Sequence, residues 1–587
     1  MKDTWNLDGM YHGFADPAYA ADMEALQAVV QGFTEFAGKL DTVDTLTGLR
    51  EGIAWEEKLL DLGRKLVIYA QLRQAADTRN AECGSRLGQA MQYFSAAAGA
   101  EAAWKEWAAG REDLMERVSQ DPLLGEYTFL FENIRKDSVH LLGQLGEQIS
   151  ARLTLTGSNA WSEMHGYLTS TVPVQYGGQT TNLSAIRNLA YDESAAVRKE
   201  AYEAELACYR QIRDPVAYAL NSIKLETIFD CQLRGYASAL DRTLAQSRMK
   251  RETLEAMLEA IREYLPKFRQ YLKAKAEALG HKNGLPWYDL FAPMGSSGKK
   301  YTIEEAGNLL VELFSSFDTE LARMVRTAFD KEWIDFYPRS GKTGGAFCEI
   351  VDCLGESRIL TNFDGAFTDV VTLAHELGHA FHNLCIRDHR SLNKDYSMPV
   401  AETASTFNEC VVMAAAIERA ETKEEKLALM ESQLQDVNQI IVDIYSRFCF
   451  EAMVFENREK DFMDASALCA LMTKAQELSY GDGLDPDFRH PYMWICKSHY
   501  YGPTFYNFPY AFGGLFARGL YAQYQQEGPA FVPKYKKLLH TTPVATAEDA
   551  ARTAGIDLTD KNFWRSALQI IADDIDRFCA LVQDNPQ

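Results

Sequence analysis

Several features that would mark other classes of protein are missing from this sequence of 587 residues. It contains no run of about 18 apolar residues, which a membrane-spanning helix would need. Its N-terminus lacks a basic segment followed by an apolar stretch, so we expect no signal peptide. The eleven cysteines are scattered without a CxxC pair. This pattern favours reduced, buried thiols in a cytoplasmic protein over disulfides or a cysteine-based metal site.

Basic residues are also in deficit, with 60 Lys and Arg against 83 Asp and Glu and a formal net charge of −23. An acidic surface repels phosphate groups, so we expect neither nucleic acid nor an anionic membrane as a partner. The hydrophobic share of 47% and the charged share of 24% are globular values, which argue against a disordered chain. A globular chain of this length predicts two or more subdomains.

Helical periodicity dominates what is present, and it predicts a mainly α fold. Stretches rich in Ala, Glu, Leu, Lys and Arg lie near 18–40, 51–110, 186–231, 250–280, 302–331, 425–458 and 463–480. One region has a β pattern, because two short runs, 346–352 and 357–363, flank a short connection and predict a hairpin. That hairpin is either a local structural element or an edge strand that pairs with an extended peptide, and the sequence favours neither.

The clearest chemical signal is the HEXXH motif His375-Glu376-Leu377-Gly378-His379, within a predicted helix over 368–384. Residues four apart on a helix stand one above the other, so His375 and His379 are able to hold one ion, and neutral imidazole suits Zn²⁺. Glu376 lies beside them, where it is able to take a proton from water activated by the metal. The alternative is an accidental HEXXH on a surface helix. An apolar stripe on the opposite side argues against it, formed by Val370, Leu373, Ala374, Leu377, Phe381 and Leu384.

The third metal ligand decides the subclass of site. The metzincin pattern fails, because His382 and Cys385 stand where that pattern needs glycine and histidine. The other common solution is a carboxylate from a following helix, and Pro399 near a predicted helix start fits such an element. Glu402 and Glu409, seven residues apart, share one face of that helix. We therefore predict Glu402 as the third ligand and Glu409 as the partner of a ligand histidine, although either acid could be an ordinary solvated glutamate.

His382 shares the predicted helix face of His375, one turn beyond His379. It either contacts substrate or satisfies a hydrogen bond near the site. We predict it as a supporting residue around the metal, together with Glu409.

These motifs resemble those of the M3 family of metallopeptidases, and most closely its oligoendopeptidase F branch. The resemblance extends over most of the chain from about residue 115 onward, while the helical N-terminal third is only weakly diagnostic. The segments that carry it are Ile359–Gly365, Asp369–His382, Ala401–Glu409, Leu285–Leu290, Gly344–Cys348 and His499–Tyr510. It implies a mostly helical, elongated, bowl-like fold with a deep central channel and a small β element beside the HEXXH helix. It also implies one zinc ion and endopeptidase action on short, unfolded peptides.

The resemblance further implies substrate-contacting His and Tyr residues near the C-terminus, which fall on His499, Tyr506 and Tyr510. Amide hydrolysis builds negative charge on the carbonyl oxygen, and donors of this kind stabilise it. The alternative is that the aromatic residues of this segment belong to the core. The chain departs from the branch at Asn507-Phe508-Pro509, where a more tyrosine-rich run is usual. Which tyrosine contacts the oxyanion is left open.

The sequence therefore predicts a zinc endopeptidase of two regions. Residues 1–185 form a helical N-terminal region that serves as a lid or as scaffold, and residues 186–587 form a mostly helical catalytic domain. Two other functions compete with this interpretation. One is an exopeptidase that removes C-terminal residues with the same helix. The other is a non-catalytic peptide-binding module with a structural zinc site, which the intact Glu376 argues against, because structural sites need no base.

Overall fold

The computed structural model describes residues 2–295 and 299–583, and within them helices dominate. The N-terminal part contains α1 (Pro17–Ala37), α2 (Thr45–Ala76), α3 (Ala81–Ser95), α4 (Ala98–Ala109), α5 (Leu114–Gln120), α6 (Pro122–Gly125), α7 (Thr128–Ser138), α8 (Gly143–Thr156) and α9 (Ser158–Thr171). The next part contains α10 (Leu183–Asn188), α11 (Ala195–Leu233), α12 (Ala239–Gln246), α13 (Arg251–Ala278), α14 (Ile303–Phe317) and α15 (Thr319–Asp330).

The C-terminal part begins with the HEXXH helix α16 (Phe367–Ile386). It continues with α17 (Met398–Ala401), α18 (Thr403–Arg419), α19 (Lys423–Asn438), α20 (Ile444–Arg458), α21 (Ala465–Ser479), α22 (Met493–Cys496), α23 (Phe508–Glu527), α24 (Val532–Thr541), α25 (Ala547–Arg552) and α26 (Lys561–Gln583). A π-helical turn, Gln439–Asp443, joins α19 to α20. The predicted mainly α fold is confirmed, while the bowl-like shape and the deep channel stay predictions.

Short polar side chains explain where many of these helices begin. Asp16, Asp44 and Asp464 each accept a hydrogen bond from a backbone N–H in the first turn of α1, α2 and α21. The single helical stretch predicted over 51–110 is divided in the structure into α2, α3 and α4. Asn80 causes one division, because its side chain accepts the Glu82 N–H at 3.0 Å and starts a new helix.

The strands are few and short. β1 (Val174–Tyr176) and β2 (Gln179–Thr181) form one antiparallel pair. β3 (Ile334–Asp335), β4 (Phe347–Val351) and β5 (Glu356–Leu360) form a sheet of order β3-β5-β4. The predicted hairpin is confirmed, since β4 and β5 pair antiparallel from Phe347 opposite Leu360 to Val351 opposite Glu356. β3, which pairs parallel to β5, was not predicted. β4 lies at an edge of this sheet, so both roles considered for the hairpin stay predictions.

The buried apolar side chains form two separate clusters. One collects residues from Trp5 to Ile134 together with Val351 and Leu360 of the hairpin. The other runs from Val172 to Phe578 and surrounds α16, α18, α23 and α26. The sheet therefore touches both cores. The predicted boundary between residues 185 and 186 stays a prediction.

Across residues 2–295 and 299–583, none of the helices combines the length and the apolar character that crossing a lipid bilayer requires.

Candidate active site

The HEXXH helix α16 is held at its N-terminus and along one buried face. Asp369 caps its N-terminus, because Oδ2 accepts the backbone N–H groups of Asp364 at 2.9 Å and Ala366 at 3.0 Å. The predicted stripe is buried from Val370 to Phe381, with Leu384 half-buried. Burial of that stripe turns the side chains of His375 and His379 away from the core, toward α17 and α18.

Glu402 lies at a break between two helices. It ends α17 and begins α18, with φ −89° and ψ 10°, so the continuous helix predicted from Ser397 onward is wrong at this point. Thr403 stabilises the break locally, since its Oγ1 donates to the Val400 carbonyl at 2.7 Å. On the neighbouring helix, Gly378 allows a very close approach. A Cβ atom there would lie only 2.5 Å from the Ala404 carbonyl oxygen.

This crossing brings three potential ligand atoms together. His375 Nε2 and His379 Nε2 lie 3.2 Å apart, and each lies 3.3 Å from Glu402 Oε2. Atoms that share a tetrahedral ion through bonds of 2.0–2.1 Å are separated by about 3.3 Å. The triangle therefore fits a small tetrahedral cation such as zinc. These residues form the only cluster of three or more potential ligands found among the described residues.

Two further side chains hold the candidate ligands in place. Glu409 Oε1 contacts His375 Nδ1 at 2.7 Å, on the side of the ring opposite the triangle. Ser405 Oγ donates to Glu402 Oε2 at 2.7 Å. A carboxylate on the outer nitrogen of a histidine fixes its tautomer and raises its basicity. The sequence predicted Glu409 as a supporting residue but not Ser405, although this serine lies in the same segment, Ala401–Glu409.

The protonation of these groups reflects their pairing. Burial lowers the pKa of His375, but hydrogen bonds with Glu402 and Glu409 outweigh it and raise the pKa to about 10. Burial opposes ionisation of Glu402, yet its two histidine partners lower its pKa far below the ordinary value. His375 is therefore protonated and Glu402 ionised. Binding a metal ion at this point must release the proton of His375, because imidazole binds metal in its neutral form.

Glu376 is 5% exposed and lies in the wall of a cavity of about 750 Å³. Among residues 2–295 and 299–583, its Oε2 has no hydrogen-bond partner. Burial raises the pKa of this carboxyl, although the adjacent His375 and His379 lower it in part. The cavity also reaches His375, Glu409 and Ala346, the residue before β4. A buried carboxylate in the wall of a cavity is suited to exchanging a proton with a bound molecule.

The three predicted C-terminal site residues form a second cluster. The ring centroid of His499 lies 6.0 Å from those of Tyr506 and Tyr510, and the two tyrosine rings are 5.8 Å apart. All three are half-buried. Burial and the neighbouring Tyr506 raise the pKa of Tyr510 to about 12, and the charge of Glu402 also acts on it. Burial, with Arg447 and Lys497 nearby, lowers the pKa of His499. At neutral pH His499 and Tyr510 are therefore neutral and able to donate hydrogen bonds.

A buried ion pair holds the loop that carries Tyr506. Glu451 accepts hydrogen bonds from the Phe505 N–H at 3.1 Å, from Asn507 Nδ2 at 3.2 Å and from Lys224 Nζ at 2.6 Å. Phe505 has φ 51°, a left-handed conformation that is costly for a residue with a Cβ. Glu451 thus fixes the residues on both sides of Tyr506. Sequence reasoning missed it, because nothing local links Glu451 to Lys224 or to this loop.

The structure does not join His382 to the other candidate site residues. Its side chain is completely buried and stacks on Tyr396, with centroids 4.2 Å apart. Its Nε2 contacts Thr542 Oγ1 at 2.8 Å. Burial lowers the pKa of His382 to about 3, so the ring is neutral. Its Nδ1 has no hydrogen-bond partner in the part of the chain that the structure describes, and both of its predicted roles stay predictions.

A helical fold that gathers an HEXXH pair and a distant glutamate, with a buried acid facing a cavity, defines a metallopeptidase. Comparison with known proteins identifies the family. The model described as Peptidase family M3 matches residues 188–570, and the one described as Oligopeptidase F matches residues 106–172. The chain belongs to peptidase family M3, and the resemblance to its oligoendopeptidase F branch is confirmed.

Individual relatives align with nearly the whole chain. Oligopeptidase PepF of Bacillus subtilis is 24% identical over 98% of this chain and 86% of its own length. An oligoendopeptidase F homolog of Lactococcus lactis is 24% identical over 99% of this chain and 98% of its own length. Two crystal structures share the fold. One, from Chlamydophila abortus, has a TM-score of 0.85 at 21% identity over 99% of this chain and 98% of its own. Oligoendopeptidase-F from Enterococcus faecium has a TM-score of 0.71 at 18% identity over 97% of this chain and 99% of its own.

Proposed function

We propose that this M3 peptidase is a zinc-dependent endopeptidase that hydrolyses short, unfolded peptides. One observation carries the proposal, namely the triangle of His375, His379 and Glu402 ligand atoms beside Glu376, whose Oε2 has no hydrogen-bond partner within the described part of the chain. The names of relatives such as the Lactococcus lactis oligoendopeptidase F homolog support internal cleavage of oligopeptides.

Zinc fits both the donor set and the tetrahedral spacing of the three ligand atoms. Two imidazoles and one carboxylate suit Zn²⁺, and three protein ligands leave the open position that is typical of a catalytic site. Bound zinc would polarise the scissile carbonyl and lower the pKa of water. His375, His379 and Glu402 hold the ion, and Glu409 orients His375 through its Nδ1.

Glu376 moves the protons of the reaction. Its Oε2 takes a proton from the attacking water and passes it to the leaving amine nitrogen. Burial raises the pKa of the Glu376 carboxyl, which makes its carboxylate a stronger base toward water. The protonated carboxyl is still acidic enough to give the proton to the leaving amine.

His499, Tyr506 and Tyr510 stabilise the developing charge on the carbonyl oxygen. A hydrogen-bond donor at this position is typically worth about 2.7–4 kcal/mol of barrier. Both tyrosines remain candidates for the direct contact. The charge of Glu402 acts on Tyr510, which supports a position close to the metal site.

Two further parts of the proposal concern organisation and location. We place a helical N-terminal region (1–185), either a lid or scaffold, against a catalytic domain (186–587). The apolar core that runs from Trp5 to Ile134 supports two units, although Val172, Val174 and Leu183 pack with the catalytic core. Deleting the region and following the activity on longer peptides tests the role of a lid. A cytoplasmic location is supported by eleven cysteines that form no disulfide. Fractionation of cells that express the chain tests it, and recovery outside the cytoplasm would contradict it.

The decisive experiment is a peptide-library digest mapped by mass spectrometry, with and without a chelator. We expect internal cleavage that stops on chelation and returns with zinc. The Glu376→Gln protein should retain zinc and lose about 100- to 10,000-fold in kcat. Glu24→Gln, at an exposed site on α1, is the matched control and should behave as wild type.

Each contrary result has a specific meaning. Wild-type rates in Glu376→Gln would refute the base assignment. Normal zinc content in Glu402→Ala would move the third ligand elsewhere. A ladder of products from one end would show an exopeptidase, and stoichiometric binding without cleavage would show a peptide-binding module.

A further inference from the structure

A second cavity lies next to the one that contains Glu376. It has a volume of about 210 Å³ and lies between α10, α11 and the segment from His490 to Lys497. Tyr191 and Phe291 line both cavities, and their ring centroids are 5.1 Å apart, so this aromatic pair forms the shared wall. Lys497 also lies two residues before His499. The second cavity, which we call the basic pocket, thus adjoins the candidate active site on two sides.

The polar groups of the basic pocket are mostly donors. Within the described part of the chain, neither ring nitrogen of the completely buried His490 has a hydrogen-bond partner, and the buried Nε2 of Gln439 has none either. His490 Nε2 lies 3.6 Å from Glu205 Oε2, beyond hydrogen-bonding distance. A buried donor without an acceptor costs free energy, so such groups commonly mark a site where a ligand supplies the acceptor.

The charges of the pocket favour an anion. Arg187 pairs loosely with Glu205, with Nε and Oε1 3.4 Å apart. Arg198 is already bound to Asp289, with Nε and Oδ1 2.8 Å apart. This leaves the ammonium of Lys497, which forms no hydrogen bond or ion pair with any side chain among residues 2–295 and 299–583. Burial lowers the pKa of Lys497, and the charge of the nearby Asp443, itself paired with Arg447, opposes this only in part.

The backbone around the pocket is also specialised. Gln439 begins the π-helical turn that joins α19 to α20, and such turns often occur at functional sites. Gln476 fixes the backbone of His490 by donating to its carbonyl at 2.9 Å and accepting from its N–H at 3.3 Å. The backbone positions of Gln439 and His490 are therefore set by the fold.

We propose that the basic pocket binds a carboxylate of the peptide substrate, with Lys497 as its charged partner and Gln439 and His490 as additional donors. The carboxylate is either the C-terminus of the peptide or the side chain of an Asp or Glu. This inference rests on the proposed function, because it takes the ligand to be a peptide. It also gives the enzyme a means of recognising how far the cleaved bond lies from a peptide end.

Four peptides of one sequence test the proposal. They end in a free carboxylate or a carboxamide, and their last residue is Glu or Gln. We expect wild-type kcat/KM to favour one form of carboxylate by about 10-fold, mainly through KM, because a charge-assisted hydrogen bond is lost with it. A difference in kcat/KM between the free carboxylate and the carboxamide shows that the terminus is bound. A difference between Glu and Gln shows that the side chain is bound.

Substitutions of Lys497 assign that preference to the pocket. Lys497→Met should reduce it to less than about 2-fold, through a loss of rate on the carboxylate peptide that exceeds any change on the doubly neutral peptide. Lys497→Arg should restore most of it. Lys474→Met, at an exposed site on α21, is the control and should leave the preference unchanged.

Binding measured by calorimetry separates this inference from the proposed function. In the Glu376→Gln background, the preferred carboxylate peptide should bind about 10-fold more tightly than its neutral form, and Lys497→Met should remove the difference. Equal binding of all four peptides would overturn the inference, even if hydrolysis is normal. If wild type cleaves none of the peptides but Lys497-dependent binding remains, the proposed function fails and the pocket stands.

Discussion

Replacing Gly378 by alanine would test whether the close crossing of α16 and α18 holds the metal ligands together. A Cβ atom at this position would lie 2.5 Å from both the Ala404 carbonyl oxygen and the Ser405 Cα. Ordinary contacts between such atoms need about 3.5 Å, so the helices must separate by about 1 Å. Both clashing atoms belong to the backbone, so a change of rotamer cannot relieve the contact.

The separation would act directly on the metal site. Ala404 and Ser405 follow Glu402 within α18, so a shift of this helix carries the glutamate away from His375 and His379. Metal–ligand bonds tolerate deviations of only about 0.2 Å, so a 1 Å shift is large. We expect zinc to bind about 10- to 100-fold more weakly, as it does when a supporting contact is lost. Overpacking should also cost about 1–3 kcal/mol in the free energy of unfolding.

The assay is zinc affinity measured by competition with chelators of graded strength, alongside thermal denaturation and peptide hydrolysis. Gly88→Ala is a matched control. It lies within α3, and a Cβ atom there would meet nothing within 4 Å. This substitution should leave zinc affinity unchanged and raise stability slightly, since alanine favours a helix by about 1 kcal/mol over glycine. A Gly378→Ala protein with wild-type zinc affinity would refute the argument that this crossing positions Glu402.

Two further predictions concern buried carboxylates. Glu451→Gln should destabilise the fold by about 3–5 kcal/mol, because it leaves Lys224 as an unpaired buried charge, and Lys224→Met in the same chain should recover most of the loss in thermal denaturation. An unchanged melting temperature in the Glu451→Gln protein would contradict the stabilising role assigned to this ion pair. Burial raises the pKa of Glu56 to about 7, against a partial opposing effect of Lys105. The stability this group contributes is therefore present at low pH and lost as pH rises toward 7, so Glu56→Gln should stabilise by about 3 kcal/mol at pH 8 and little near pH 4.5. Urea denaturation at both pH values measures this, and an equal effect at both would rule it out.

Local patterns explain why part of the site could be predicted. His375 and His379 are four residues apart on one regular helix, and the buried stripe on its other side sets their direction. The hairpin was recognisable for the same reason, since both of its strands and the turn lie within 15 residues of the chain. In each case the information lies in one short segment with a regular period.

Contacts between distant segments could not be predicted in this way. Lys224 and Glu451 are far apart in the chain, and their pairing depends on how α11 packs against α20. The break at Glu402 also has a distant contributor, because α23 packs on it so closely that a Cβ atom at Gly513 would lie 3.1 Å from Glu402 Cβ. The proposed roles of His499, Tyr506 and Tyr510 came from family resemblance rather than from spacing.

The residues with a proposed chemical role tend to lie where the chain departs from regular helix. Glu402 stands between two helices, Tyr506 follows a residue with positive φ, and Gln439 begins a π-helical turn. A regular helix presents side chains at fixed angles, so bringing a third ligand or an isolated donor to a given point requires a local exception. Helical periodicity detects the scaffold, and it is weakest at these exceptions. A search for breaks next to buried polar residues should therefore find further site residues in helical peptidases of this kind.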